Sequence, residues 1–155
     1  MTIEWQTKRF DELSNDELYD LLKLRIDVFV VEQTCYYPDL DDLDRADGVL
    51  HLLGKINNEI VAYLRILPQG VHYEDYVAIG RVLTREDVRS KGYGHPLMAE
   101  AISQCKQRYP AIDIKISAQQ HLEKFYEKHG FVTVSDMYLE DDIPHIAMLR
   151  AVNSN

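Results

Sequence analysis

Residues 82–94 read Val-Leu-Thr-Arg-Glu-Asp-Val-Arg-Ser-Lys-Gly-Tyr-Gly, and this stretch decides the fold. It follows an apolar, β-rich run and leads into a segment with apolar residues at helical spacing: Leu97, Met98, Ala101, Ile102 and Cys105. Glycine lets the backbone turn tightly and approach a ligand closely. The first amides of a helix have no internal partner, and the helix dipole adds positive charge there. The pattern Arg-x-x-Gly-x-Gly between a strand and a helix therefore predicts a site for a phosphate group.

Two other glycine-rich loops do not fit this stretch. The dinucleotide-binding fingerprint needs a third glycine at position 97, where this chain has leucine. The nucleotide P-loop needs Gly-Lys-Ser or Gly-Lys-Thr, which is absent here. Arg89 and Lys91 stand beside the glycines and favour an anionic ligand. An ordinary strand-to-helix turn without a ligand is the alternative interpretation.

Outward from this loop, the hydrophobic pattern predicts strands and helices in alternation. Ser14 and Glu17 form a capping-box pattern at the start of a helix over residues 15–31. A later helix ends at Gly130, and Asn57-Asn58 joins two β-rich runs into a hairpin. Strands are predicted near residue 5 and over 49–56, 59–67, 76–83, 112–117 and 143–152. This order predicts a single domain, residues 1–155, of the α/β (α+β) class, with a mixed sheet flanked by helices.

The net charge limits the partners of the chain. The 155 residues carry a formal net charge of −9, of which residues 1–50 contribute −8. Nucleic acid and anionic lipid both attract basic surfaces, so we expect neither partner. No apolar run reaches the roughly 18 residues of a membrane span. The stretch 81–91 differs from the rest, because its local net charge of +2 suits a phosphate group.

Neither the cysteines nor the acidic residues predict a metal site. Cys35 and Cys105 lie far apart, and the N-terminus lacks the apolar core of a signal peptide, which is typical of reduced thiols in a cytoplasmic protein. Residues 36–48 form an acidic loop whose spacing fails the EF-hand pattern. With Asp39 as the first ligand, position six is Asp44 and not glycine. A solvated acidic loop is the default interpretation.

Three groups of residues resemble a known family. The motif Arg89-x-x-Gly92-x-Gly94 resembles the acetyl-CoA pyrophosphate loop of the GNAT superfamily of N-acetyltransferases. The segment 119–131, which ends in Tyr-Glu-Lys-His-Gly-Phe, is similar to the second motif of that superfamily. The stretches 25–39, 79–82 and 143–145 resemble its ElaA-like branch. The resemblance covers essentially the whole chain. It implies a strongly bent mixed sheet whose central parallel strands splay apart to admit acetyl-CoA.

The resemblance also implies where acetyl-CoA binds. Backbone groups of Val82, Leu83 and Thr84 would pair with the pantetheine arm as an added strand does. The pyrophosphate would bind the backbone amides of Arg89, Ser90, Lys91, Gly92, Tyr93 and Gly94. Gln119 stands where many relatives carry asparagine, and it would reach pantetheine or the acceptor. Pro96, a departure from the family pattern, lies early in the helix, where a missing N–H is best tolerated.

Three residues are candidates for acid–base catalysis. Tyr126 matches the tyrosine that donates a proton to the departing CoA sulfur in many relatives. A phenol with a pKa near ~10 is able to protonate a thiolate whose conjugate acid has a pKa near ~8.5. The alternative role for Tyr126 is a core aromatic residue. A protonated amine must lose a proton before it attacks the thioester, so a base is expected. Glu32 and His145 are the candidate bases, and an ordinary structural role is the alternative for each.

The leading functional hypothesis is an acetyl-CoA-dependent N-acetyltransferase that modifies an amine of a small molecule or a protein. The alternative is a non-catalytic acyl-CoA-binding or regulatory module that keeps the fold. The acidic first third of the chain favours a cationic acceptor, or serves only solubility. Arg25, Arg65 and Arg81 lie in apolar runs, so we expect them to pair with Asp27, Glu32 or the acidic loop. Proteins of this kind are frequently homodimers.

Overall fold

Eight strands form one mixed sheet in a computed structural model that describes residues 2–154. The two terminal residues of the predicted domain lie outside this range. The strands are β1 (Glu4–Arg9), β2 (Leu50–Ile56), β3 (Glu59–Leu67), β4 (Val77–Thr84), β5 (Ile114–Gln119), β6 (Val132–Thr133), β7 (Tyr138–Glu140) and β8 (Ile143–Arg150). Their order is β1-β2-β3-β4-β5-β8-β6, and β7 also pairs with β8. The predicted mixed sheet with flanking helices is confirmed.

The helices are α1 (Asn15–Arg25), α2 (Gly94–Arg108) and α3 (Glu123–Glu127). The capping box at the start of α1 is confirmed, because the Glu17 amide donates to Ser14 Oγ and the Ser14 amide donates to Glu17 Oε1. The predicted α-helix over 15–31 is only partly correct. Its second half, Ile26–Glu32, is a π-helix, and its β-branched residues have a low α-helical preference. No helix within residues 2–154 combines the length and apolarity needed to cross a bilayer.

Helices α1 and α2 pack on opposite faces of the sheet. Successive side chains of a strand point to opposite faces, and β2 shows this with Leu52 and Leu53. Leu52 is buried in one cluster with the apolar face of α2, whereas Leu53 is buried in another with Leu21 and Leu24 of α1. The central strands are therefore covered on both sides and act as a rigid base for the loops at their ends.

Local turn chemistry is largely as predicted, while the smallest strands were missed. Asn57 and Asn58 have φ of 50° and 66°, the left-handed pair that a two-residue hairpin needs. Gly130 has φ of 87° and follows the helix as expected. The strands β6 and β7 contain two and three residues, too few to show alternation. Both ends of β3 agree with the prediction, and the ends of the other longer strands differ from it by at most two residues.

The cysteines are both free thiols. Cys105 is buried on the α2 side of the sheet, and burial raises the pKa of its thiol to about 12. It therefore acts as a small apolar core residue.

Strands β4 and β5 separate soon after they meet. They are the parallel neighbours of the sheet, and their pairing is restricted to Val77 with Ile114 and Ala78 with Lys115. All other strand pairs of the described chain are antiparallel. From Ile79 onward, the β5-facing edge of β4 has no partner strand in the range 2–154. This opening positions the candidate site.

Candidate active site

A cavity of about 300 Å³ occupies the opening between β4 and β5. Its walls come from both strands, the π-helix, the β7–β8 hairpin and α3. The lining residues include the consecutive run 78–82 of β4, Ile116, Ser117 and Gln119 of β5, Tyr126 of α3 and His145 of β8. Three of the predicted site residues, Gln119, Tyr126 and His145, thus line the same cavity, together with Val82.

The loop that follows β4 has the features of an anion site. Residues 86–91 form a 3₁₀ turn, and Gly92 has φ of 78° in the left-handed region, with open space around the position of a Cβ atom. Helix α2 then begins at Gly94. Its first turn contains no acidic residue, and no side chain caps it. The amides at this helix start are thus available to a phosphate group. Pro96 occupies the first turn, where its missing N–H costs least.

Gly94 allows α2 to start close to α3. A Cβ atom at this position would lie 3.3 Å from the ring of Phe125, tighter than ordinary van der Waals contact. The second glycine of the motif therefore fixes the distance between the predicted phosphate loop and the helix that carries Tyr126.

The basic side chains of the loop have different environments. Arg89 Nε donates to the carbonyl of Thr84 at 3.1 Å, and Arg89 Nη2 lies 2.8 Å from Glu32 Oε2. Ser90 and Lys91 are exposed, and Tyr93 packs at the edge of an apolar cluster with Val88. The Arg89–Glu32 ion pair thus connects the loop to the end of the π-helix.

Val82, Leu83 and Thr84 form the last part of the open edge of β4. On the β3 side, Leu83 pairs with Tyr63 and Thr84 with Ala62. On the β5 side, no strand of the described chain pairs with them. Backbone groups at an unpaired strand edge bind an extended ligand by strand addition. This edge leads directly into the anion site at the start of α2.

Tyr126 is buried, and its ring is held by aromatic neighbours. It is 6% exposed and makes edge-to-face contacts with Phe125 and Phe131, at 5.1 and 5.9 Å between centroids. Burial raises the pKa of its hydroxyl to about 12, and no hydrogen bond joins that hydroxyl to another described residue. The phenol is therefore a protonated donor that borders the cavity.

His145 has a defined tautomer. Its Nδ1 lies 2.7 Å from the carbonyl oxygen of Ile143, so Nδ1 carries the proton of the neutral ring and donates it. Its Nε2 then presents a lone pair, 3.4 Å from Glu140 Oε2. Both side chains line the cavity, and Nε2 of the neutral ring is a proton acceptor there. When the ring is protonated, Nε2 forms an ion pair with the Glu140 carboxylate.

Gln119 and Glu32 lie on either side of the π-helix end. Gln119 pairs with His145 across β5 and β8, and its Nε2 donates to Gln33 Oε1 at 3.3 Å. Glu32 is exposed, pairs with Arg89 and does not line the cavity. The two candidate bases are therefore in different places, and only His145 borders the cavity.

The acidic loop binds the buried arginines. Arg25 is 0% exposed and pairs with Asp39 and Asp44, while Arg65 pairs with Asp41 and Asp44. Burial raises the pKa of Asp41, but the hydrogen bonds from Arg65 outweigh it and lower that pKa to about 2. The prediction that these arginines pair with the acidic loop is confirmed. The alternative partners were wrong, since Asp27 pairs with Lys23 and Glu32 with Arg89.

This pairing changes the interpretation of the acidic loop. Asp39 and Asp44 are buried, and the more exposed Asp42 is paired with Arg45. Much of the negative charge of the acidic loop is thus neutralised by arginines of the same chain. Within residues 2–154, no group of three or more His, Cys, Asp or Glu side chains is arranged to hold a metal ion.

Sequence reasoning missed the polar network beside His145. Ser117 Oγ and Tyr138 Oη share a hydrogen bond, and Ser117 Oγ also donates to Glu140 Oε1 at 3.2 Å. The ring of Tyr138 stacks on His145, with 6.2 Å between centroids. A signal was present in β5, where Lys115, Ser117 and Gln119 alternate with apolar residues and mark a polar face.

Comparisons with known proteins agree with this architecture. The profile of the family described as "Acetyltransferase (GNAT) domain" matches residues 28–151. Protein ElaA of Escherichia coli (strain K12) is 45% identical over 150 residues, which cover 97% of each chain. The crystal structure of that protein has a TM-score of 0.89 at 44% identity, covering 95% of this chain and 99% of the other. A crystal structure described as an acyl-CoA N-acyltransferase from Pseudomonas aeruginosa has a TM-score of 0.92 at 43% identity, covering 97% and 100%.

The chain therefore belongs to the GNAT family of acetyltransferase domains, which the separated strands and the glycine loop had indicated. Within that family it is an ElaA-like protein, as the resemblance of residues 25–39, 79–82 and 143–145 implied.

Proposed function

We propose that this protein transfers the acetyl group of acetyl-CoA to an amine by direct attack, with Tyr126 as the general acid. The observation that carries the proposal is a shared cavity. The open edge of β4, the protonated phenol of Tyr126 and the lone pair of His145 all border it. The description of the Pseudomonas aeruginosa relative as an acyl-CoA N-acyltransferase supports the same class of reaction.

The chain offers a continuous surface for the CoA portion. Val82, Leu83 and Thr84 would pair with the amides of the pantetheine arm. The backbone amides from Arg89 to Gly94, including those of Ser90, Lys91 and Tyr93, would bind the pyrophosphate. Glu32 then has a positioning role, since its ion pair fixes Arg89 beside the loop. Gln119, at the junction of β5 and the π-helix, would contact the pantetheine or the acceptor.

His145 is the base that the geometry favours. The acceptor nitrogen gives a proton to Nε2, its lone pair forms the bond to the thioester carbon, and the C–S bond breaks. Tyr126 donates its proton to the departing sulfur. An ammonium acceptor first releases one proton to solvent. From the neutral amine, the products are the N-acetylated acceptor, CoA with a free thiol, an imidazolium at His145 and a phenolate at Tyr126. Transfer of one proton from the imidazolium to the phenolate through solvent then restores both side chains. Glu140 stabilises the imidazolium that forms, because its carboxylate lies beside Nε2.

Release of the CoA thiol tests this function. Purified protein is incubated with acetyl-CoA and a panel of a polyamine, an amino sugar, free amino acids and peptides, and free thiol is measured. We expect release with at least one amine and a matching N-acetyl product by mass spectrometry. Tight acetyl-CoA binding without release for any acceptor would instead support the non-catalytic module.

Replacing Gly92 by alanine should weaken CoA binding about tenfold, because a side chain in the left-handed region costs about 1–2 kcal/mol and stands where the phosphates approach. The check is the dissociation constant of CoA from calorimetry. Gly70→Ala is a matched control, because Gly70 also has a left-handed φ, of 91°, with open space around it, and it lies in the loop after β3, outside the stretch 89–94. A similar loss of CoA affinity in both variants would contradict the assignment of the loop.

Four further expectations belong to the same proposal. They are a cationic character of the acceptor, a homodimer, a cytoplasmic location and a single domain over residues 1–155. The paired state of the acidic loop offers little support for the first of these. Sedimentation of the purified protein tests the second.

A further inference from the structure

Strand β4 contains a strained residue at the cavity wall. Arg81 has φ of 54°, which a residue with a Cβ atom adopts only at a cost. The register with β3 shifts at the same place, since Gly80 pairs with Arg65 and Leu83 pairs with Tyr63. Two residues of β4 thus oppose one residue of β3, which is a β-bulge.

The bulge shapes the cavity through the backbone. A regular strand presents alternate residues to one face, yet the consecutive residues 78–82 all line the cavity. Gly80 has no side chain, and a Cβ atom there would meet open space. The cavity wall at Gly80 therefore includes main-chain groups, and the bulge leaves the next two residues, Arg81 and Val82, without a paired residue on β3.

The acidic loop holds the side chain of Arg81. Arg81 Nη2 donates to the carbonyl of Asp39 at 2.9 Å, and its Nε lies 2.8 Å from Asp39 Oδ1 without hydrogen-bond geometry. Arg81 Nη2 is also 3.4 Å from Asp41 Oδ2. The guanidinium lies over the ring of Tyr37, whose hydroxyl donates to Asp39 Oδ1 at 2.7 Å. Arg81 is therefore fixed at several points.

The loop is itself fixed to the core. Asp39 has a fully buried side chain and accepts from Arg25 Nε at 2.8 Å, while Asp44 accepts from both Arg25 and Arg65. Three arginines and three aspartates balance in charge, so the network is neutral. A rigid, neutral anchor is suited to hold a strained backbone in place.

We propose that the loop Asp39–Asp44 is a clamp that keeps Arg81 in its left-handed conformation and so positions the β4 wall against the acyl group. This inference rests on the proposed function for its kinetic part. It makes Arg81 a positioning residue that acts through the backbone. The acidic loop then contributes to turnover by fixing Arg81, although Asp41 of the loop also lines the cavity.

Three substitutions of Arg81 test the clamp, because they differ in backbone preference and charge. Among residues with a Cβ atom, asparagine tolerates the left-handed region well, whereas alanine and lysine adopt it only at a cost. We expect Arg81→Ala and Arg81→Lys each to lower kcat about tenfold, and Arg81→Asn to stay within about threefold of the parent protein. The dissociation constant of CoA should change less than kcat does, because the pyrophosphate loop 89–94 is untouched and only the β4 contacts next to residue 81 are affected. Arg45→Met is the control, since it removes only an exposed ion pair.

The opposite ranking overturns the proposal. If Arg81→Lys keeps activity while Arg81→Asn is as slow as Arg81→Ala, the positive charge acts directly and the clamp is wrong. Backbone chemical shifts of residue 81 give a reading that needs no turnover. These shifts should indicate a left-handed backbone in Arg81→Asn and an extended backbone in Arg81→Ala. Unchanged shifts in Arg81→Ala would refute the clamp even if no acceptor is acetylated. Should Arg81→Ala not fold, Tyr37→Phe loosens the same clamp, and unchanged kcat and shifts in that variant would refute it.

Discussion

An Arg25→Met variant should have a free energy of unfolding about 3–5 kcal/mol lower than the parent protein. Arg25 is fully buried and is the link between Asp39 and Asp44. Methionine fills much of the same volume but leaves two carboxylates without one of their partners. The loss of an ion partner in the interior is costly, because the remaining charges can neither be hydrated nor fully paired. Urea denaturation followed by circular dichroism measures the change.

Lys23→Met on the same helix is the matched control. Lys23 and Asp27 form an ion pair whose side chains are 66% and 50% exposed. Solvent screens such a pair, so its removal should change stability by less than about 0.5 kcal/mol. Equal effects of the two substitutions would mean that the network around Arg25 is not a structural anchor.

Tyr126→Phe should lower kcat about 100-fold while the KM for acetyl-CoA stays the same. The substitution removes one oxygen and leaves the aromatic contacts with Phe125 and Phe131 in place. Since burial stabilises the neutral form and raises the pKa of the hydroxyl to about 12, the proton donor persists through alkaline pH. Tyr126 should therefore cause no decline in kcat between about pH 7 and pH 10. Steady-state kinetics across this range check both statements.

Tyr109→Phe provides the comparison for a tyrosine outside the site. Tyr109 follows α2, is partly buried and does not line the main cavity. It should leave kcat unchanged. Turnover of Tyr126→Phe at the parental rate would remove the phenol from the mechanism and leave it a core residue.

Features with a local cause could be predicted from the sequence. The glycine loop, the capping box at Ser14 and the hairpin at Asn57-Asn58 each depend on neighbouring residues, and the structure contains all three. Tyr126, Gln119 and His145 were selected through motif resemblance, and the fold brings them to one cavity.

Features that depend on contacts between distant segments of the chain could not be predicted from the sequence. Arg25 and Asp44 are 19 residues apart in the sequence, and their neighbouring residues do not indicate which carboxylate pairs with which arginine. The bulge at Arg81 arises from the register between β3 and β4. The contact of Glu140 with His145 depends on a three-residue strand whose pattern is too short to recognise. The ion pair between Glu32 and Arg89 also joins segments that are far apart in the sequence, so the environment of this candidate base could not be predicted.

The β7–β8 hairpin has a consequence for how acceptor preference evolves. Glu140 and His145 are joined by a turn in which Asp141 and Asp142 both have left-handed φ, of 50° and 63°. The proposed base and its carboxylate thus belong to six consecutive residues, whereas the proposed CoA contacts are concentrated in residues 82–94. An insertion or exchange within this hairpin changes the chemistry offered to the acceptor and leaves the CoA loop intact. Acceptor preference can therefore change through substitutions in this one short hairpin while the CoA loop stays the same.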